Sequence, residues 1–209
     1  MSTNNFPSSS VYCHRGHWLD KSEQNSVESF VRAQKSGLAV ETDIRDIDQK
    51  IRIAHDVSSI STTMAFEDYL ELQIKTAINT KSDGLASLLS SKREEFIETD
   101  SFFFDGSIPQ MLMYRNLGLP HALRLSEYEK ELPWETNYIW LDAFHSDWWI
   151  RDNILEKYRS SGEKIVLVSP EIHGRNPEDA WAKVYEQFFD GNRNVSVCTD
   201  RPIDFLNYG

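Results

Sequence analysis

Apolar positions along this chain come in short runs, and most runs close on a polar residue. Runs rich in β-branched and aromatic residues fall at 11–14, 39–44, 51–55, 77–81, 102–105, 122–124, 138–142, 165–169 and 195–199. Their length and composition predict strands. Between most of them the apolar spacing becomes helical. Asn25-Ser-Val-Glu28 has capping-box spacing with Asn in the capping position, Val27, Phe30 and Val31 follow, and Gly37 supplies a stop. Residues 85–96 are apolar at helical spacing, 109–117 opens on proline and ends near Gly118, and 149–158 and 177–189 complete the predicted helices.

Strands alternating with helices predict a parallel sheet with right-handed crossovers. If 51–55 pairs back on the strand before it as a hairpin, eight strands remain. That count predicts an α/β fold, a (β/α)8 barrel, small beside the about 250 residues typical of the architecture. A doubly wound open sheet is the alternative. The polar strand ends favour the barrel: His14, Glu41 and Asp43, Asn79 and Lys81, Asp105, Arg124, Asp142, Glu171 and His173, Asp200. A barrel collects every strand end at one mouth, whereas an open sheet uses mainly those at its switch point. The sequence shows no repeat or linker. Residues 1–10 are expected to be a flexible N-terminus and 11–209 a single barrel domain.

Composition narrows the picture. The chain has 209 residues, 40% of them hydrophobic, enough for one core. A formal charge of −11 argues against a nucleic-acid partner but leaves room for a local basic pocket around one phosphate. Cys13 and Cys198 are too few for a disulfide framework. They are expected to be buried thiols on the first and last strands, neighbours in a closed barrel. There is no signal-peptide pattern and no apolar run of about 18 residues. The expectation is a soluble, cytoplasmic protein, with the oligomeric state left open.

The candidate chemistry is concentrated in the first 56 residues. Glu41 and Asp43 are two apart, so a strand presents both on one face. Such a pair is often a plain solvated strand edge. Held together, two carboxylates repel unless a proton or cation intervenes, and a hard ion such as Mg²⁺ or Ca²⁺ suits oxygen ligands. Asn79-Thr-Lys81 repeats the spacing, with an amide oxygen for a metal and a point charge for a phosphate. His14 and His55 bracket the carboxylates and are the candidate acid–base pair. Arg15 can grip a phosphate with two parallel bonds, and Gly16 lets the backbone pass close to a ligand. Trp140, Trp148, Trp149 and Trp181 are expected to serve packing rather than a carbohydrate platform.

His14-Arg15-Gly16, Gln24-Asn25-Ser26, Glu41-x-Asp43 and His55-Asp56 together resemble the glycerophosphodiester phosphodiesterase family, within the phospholipase-C-like phosphodiesterases. Asn79-Thr-Lys81 stands where that family has Glu-x-Lys, and Thr199-Asp200-Arg201-Pro202 resembles its last-strand motif. The Asn-x-Lys form resembles a short bacterial branch. The resemblance implies a (β/α)8 barrel and metal-dependent cleavage of a phosphodiester. His14 and His55 would be the acid–base pair, Arg15 and Lys81 would bind phosphate, and Glu41, Asp43 and Asn79 would hold a divalent metal, Mg²⁺ or Ca²⁺. Arg124, Glu171 and His173 would line the mouth and select the group attached to the phosphate. Departures are Asn79 for an acidic ligand, Gln24-Asn25-Ser26 for Glu-Asn-Thr, and a short segment after Asp56 without the usual capping insertion, which implies an open mouth. The substrate class is a glycerophosphodiester, or a phosphodiester-linked glycan or lipid head group. The rivals are a non-catalytic barrel that binds a phosphorylated ligand as an accessory protein, and a barrel lyase or isomerase acting on a sugar phosphate.

Overall fold

The computed structural model describes residues 6–57, 62–159 and 161–209. Its strands are β1 (Val11–His14), β2 (Ala39–Ile47), β3 (Lys50–Ile53), β4 (Met64–Ala65), β5 (Thr76–Thr80), β6 (Phe102–Phe104), β7 (Ala122–Leu125), β8 (Tyr138–Leu141), β9 (Lys164–Val168) and β10 (Val195–Thr199). Eight of them run parallel in the cyclic order β1-β2-β5-β6-β7-β8-β9-β10. The ring closes between β6 and β7 through the Phe103–His121 bridge and a 3.0 Å hydrogen bond from Phe103 N–H to Pro120 O. This is the predicted barrel, not an open sheet. β3 is the hairpin partner of β2, antiparallel with Ile44 opposite Ile53, and β4 extends the pair.

Alternation along each strand separates two apolar layers. Tyr12, Ala39, Ala77, Phe102, Phe104, Ala122, Tyr138, Trp140, Val166, Val168 and Cys198 fill the barrel. The packing sets large against small: aromatic residues of β6 and β8 fill space left by alanines of β2, β5 and β7. Phe104 stacks on Trp140 at 3.9 Å between ring centroids, and Phe102 on Tyr138 at 4.6 Å. The alternate residues, among them Val11, Cys13, Val40, Ile78, Phe103, Leu123 and Ile139, face the helices. Both cysteines are buried free thiols, with Tyr12 registered against Cys198 and Cys13 against Thr199. All four tryptophans expected to pack are buried.

The helices are α1 (Val27–Lys35), α2 (Phe66–Leu70), α3 (Ala86–Leu89), α4 (Arg93–Glu98), α5 (Ile108–Asn116), α6 (Trp148–Arg151), α7 (Ile154–Arg159), α8 (Glu178–Phe189) and α9 (Pro202–Leu206). Several depart from expectation. The predicted helix over 85–96 is interrupted by a 3-10 turn, Ser90–Lys92. Ser90 and Ser91 donate back to the carbonyls of Ser87 and Leu88, which competes with the helical ladder. The predicted helix over 149–158 splits at Asn153, whose φ of 50° is left-handed. No helix forms between β7 and β8, where charged residues and Pro133 leave no apolar period. The expected flexible N-terminus is corrected over 6–10: Phe6 is buried against Tyr185, Phe188 and Phe205, and Ser8–Ser10 form a 3-10 turn. Part of the short segment after Asp56, 58–61, lies outside the described residues; the part that follows contributes β4 and α2, which buries Phe66, Tyr69 and Leu70.

Candidate active site

Inward alternation carries His14, Glu41, Asp43, Asn79, Arg124 and Asp142 toward the C-terminal mouth, where barrel chemistry is built, and the turns after β6 and β9 add Asp105, Glu171 and His173. The β1–α1 turn opens the site. Arg15 and Gly16 have φ of 59° and 86°, and a side chain on Gly16 would put its Cβ 2.3 Å from Ser29 Oγ. This tight turn aims the Arg15 backbone N–H at Glu41 Oε2, 3.1 Å away. Trp18 Nε1 donates to His14 O at 2.9 Å and pins the strand end.

His14 pairs with Asp200, Nδ1 to Oδ1 at 2.7 Å, across the β1–β10 seam. Burial alone would lower the histidine pKa; the Asp200 hydrogen bond and the charges of Glu41 and Asp200 outweigh it and raise it. Nδ1 is thereby engaged, and Nε2 is the ring nitrogen that Asp200 does not hold.

Glu41 and Asp43 are buried side by side on one face of β2. Burial, then the charge of Asp43, pushes the Glu41 carboxyl up to about 7. Asp43 is held by cations and an amide: Arg15 Nε at 3.3 Å, Lys81 Nζ at 3.4 Å and a 2.9 Å hydrogen bond from Asn25 Nδ2. Asn25 also accepts from Thr42 Oγ1 at 2.8 Å. Asn25 is therefore not the helix cap. Ser26 is, accepting from Ser29 N–H at 3.2 Å, and the amide that a capping box would use locally is spent across the mouth.

On β5, Asn79 stands in register with Asp43. Its Nδ2 donates to Asp105 Oδ2 at 3.3 Å, while its buried Oδ1 has no hydrogen-bond partner among the described residues. Among the described residues no three His, Cys, Asp or Glu side chains gather to hold a metal. The donor set is instead two carboxylates and an amide oxygen. These are hard oxygen donors, and a buried amide oxygen without a partner fits a divalent cation such as Mg²⁺ or Ca²⁺.

The β2–β3 hairpin returns His55 to the level of Asp43, since Ala54 N–H donates to Asp43 O at 3.0 Å. Its imidazole lies at the exposed rim, with Nδ1 2.9 Å from Asp56 and its carbonyl held by Arg45 Nη2 at 2.8 Å. On the far side, Arg124 bonds Asp105 at 3.1 Å and also Glu129. His173 Nε2 lies 2.7 Å from the buried Asp142. Glu171 accepts from Ser169, Thr199 and the Asp200 N–H, so it braces β9 against β10 and the His14 partner. Arg15, Glu41, Asp43 and Lys81 thus form one bonded cluster, with Asn79 in register beside Asp43; Asn79 joins Arg124 through Asp105, Glu171 joins His14 through Asp200, and His173 pairs separately with Asp142. Three residues enter that motif reading leaves without a role: Asp200, Asn25 and Asp105. The usable signal for Asp200 and Asp105 is the polar strand end itself.

No protein-family model matches this chain, and no curated protein matches it. Solved structures do. One is the crystal structure of a glycerophosphodiester phosphodiesterase from Agrobacterium tumefaciens, with TM-score 0.69 and 15% identity over 95% of this chain and 97% of that one. Another is that of a glycerophosphodiester phosphodiesterase from Parabacteroides distasonis, with TM-score 0.62 and 14% identity over 96% and 97%. At such identity the likeness establishes the fold: this chain has the small α/β barrel found in glycerophosphodiester phosphodiesterases.

Proposed function

We propose that this protein is a metal-dependent phosphodiesterase acting on a glycerophosphodiester or on a phosphodiester-linked glycan or lipid head group. The observation that carries the reading is one cluster at the mouth holding a carboxylate-braced imidazole, two cations and three oxygen donors: His14–Asp200, Arg15 and Lys81, Glu41, Asp43 and Asn79. The same elements stand in family-like motifs, and the fold is that of known phosphodiesterases.

Glu41, Asp43 and the Asn79 amide oxygen would hold the divalent ion, which supplies Lewis-acid polarisation of a phosphoryl oxygen. Arg15 and Lys81 bind the phosphate and neutralise charge that builds as the bond breaks. Both now pair with Asp43, so a phosphate meets them already placed. His14, oriented by Asp200, and His55 at the rim divide the proton transfers. One deprotonates the nucleophile, a water or a neighbouring substrate hydroxyl, and the other protonates the leaving alkoxide. Arg124 and His173 select the attached group, with Glu171 fixing the strand ends beside them. The proposal includes a cytoplasmic location, in keeping with two free buried thiols; no helix among the described residues is long and apolar enough to cross a membrane.

A second reading, a non-catalytic barrel that binds a phosphorylated ligand, draws on Asn79, since no third acidic ligand joins Glu41 and Asp43 among the described residues. The two separate in an assay of an aryl phosphodiester and a panel of glycerophosphodiesters with added Mg²⁺, Mn²⁺ or Ca²⁺. His14→Ala or His55→Ala should lower turnover about 10²–10⁴-fold. Full activity in both variants would refute the assignment.

A further inference from the structure

Asn79 carries one fewer negative charge than the acidic residue expected at its position, yet its amide is not idle. It is 8% exposed, and the strand register places it between Asp43 on β2 and Phe104 on β6. Phe104 is stacked on Trp140 and offers no polar partner from within the barrel. An amide has one end that donates and one that accepts, and a carboxylate only accepts. Asp105 Oδ2 takes the Asn79 Nδ2 hydrogen at 3.3 Å. Turning the amide over would set oxygen against oxygen, so Asp105 fixes which end faces away from it. That end is Oδ1, buried and without a hydrogen-bond partner among the described residues.

Asp105 is itself held firmly. Its other oxygen accepts from Arg124 Nη1 at 3.1 Å, and Arg124 is tethered in turn to Glu129. Its backbone φ of 60° is left-handed, a conformation that costs energy for a residue with a side chain and ends β6 abruptly. Since Arg124 offsets its charge, Asp105 is suited to orient a neighbour more than to add negative potential.

We propose that Asp105, braced by Arg124, is a positioning residue that turns the Asn79 amide oxygen toward the Glu41–Asp43 pair and so completes an oxygen site for a divalent cation without a third carboxylate. The inference rests on the metal-dependent reading above. It predicts that the orienting hydrogen bond sets metal affinity, as partners of metal ligands generally do.

The test is calorimetric titration with Mn²⁺, paired with the Mn²⁺ electron paramagnetic resonance spectrum, on the full chain. Asp105→Asn should weaken Mn²⁺ binding about 10–100-fold. Asn79→Asp alone should not restore a family-like site, because it sets a second carboxylate against Asp105. The exchange Asn79→Asp with Asp105→Asn keeps the hydrogen bond with donor and acceptor reversed. It should recover wild-type affinity or better, a coupling between the positions that a merely structural role for Asp105 would not produce. If Asp105→Asn fails to fold, the exchange variant carries the test alone. Tight binding by the wild type with unchanged affinity in Asp105→Asn, or no recovery in the exchange variant, overturns this inference and leaves the phosphodiesterase reading standing. No Mn²⁺ binding by the wild type overturns the metal site and this inference together.

Discussion

His14 owes its candidate role to a partner 186 positions away in the chain. A histidine at a strand end is ordinarily a satisfied structural residue; Asp200 orients this one, as the proposed proton transfer requires. Burial lowers its pKa, and Asp200 and Glu41 raise it by more. Removing the Asp200 charge should therefore drop it. We predict that Asp200→Asn shifts the His14 limb of the kcat/KM–pH profile to lower pH. An unmoved limb would separate the pair from proton transfer. The motif residues His14, Arg15, Glu41, Asp43 and His55 are legible in the sequence because their types are uncommon together at that spacing. The work of Asn25 is not legible, since its side chain reaches Asp43 and Thr42 on another strand while the local pattern advertises a helix cap.

Among the elements, period-two alternation reads directly from the sequence and puts His14, Glu41, Asp43, Asn79, Arg124 and Asp142 on the same face of their strands as the barrel-filling residues, whereas Asp105 and the Glu171–His173 turn lie beyond the strands and outside that alternation. The hairpin of β3 on β2 is legible for the same reason. Helix boundaries are less so. The serines that break the helix over 85–96 act through side-chain bonds to the preceding turn, and Asn153 breaks the later one by its backbone conformation. Neither leaves a mark in the apolar spacing. The β1–α1 turn depends on a single glycine. Gly16→Ala would force a Cβ against Ser29 Oγ in a left-handed conformation. It should cost about 1–3 kcal/mol, measured by urea denaturation, and should disturb the Arg15 contact with Glu41. An unchanged midpoint would contradict this account of the turn.

The whole molecule divides its polar residues between two ends. The mouth holds the candidate chemistry, and the opposite end is tied shut by Asp100. It pairs with Lys75 at 2.8 Å and Lys164 at 2.6 Å and accepts from Tyr138 OH at 2.5 Å, linking the starts of β5, β8 and β9. Burial would raise the Asp100 pKa, but these partners hold it down at about 2, below the ordinary 3.8. The unfolded chain thus takes up this proton first on acidification. The stabilisation is present above pH 3.8 and lost as pH falls through about 2. Asp100→Asn should lower stability at neutral pH by on the order of 1 kcal/mol, discounted because the side chain is one-third exposed. It should also flatten the acid limb of the melting-temperature profile; an identical limb in the variant would contradict the role. Barrel closure was legible as a strand count, whereas the cross-strand ties at this end depend on register that no local pattern shows. The most direct test of the central claim is hydrolysis of an aryl phosphodiester and a glycerophosphodiester panel with Mg²⁺, Mn²⁺, Ca²⁺ or EDTA, beside His14→Ala. The account predicts turnover that requires the metal and falls about 10²–10⁴-fold in the variant. Turnover that ignores both EDTA and the loss of His14, or a wild type that neither turns over a diester nor binds a divalent ion, would contradict it.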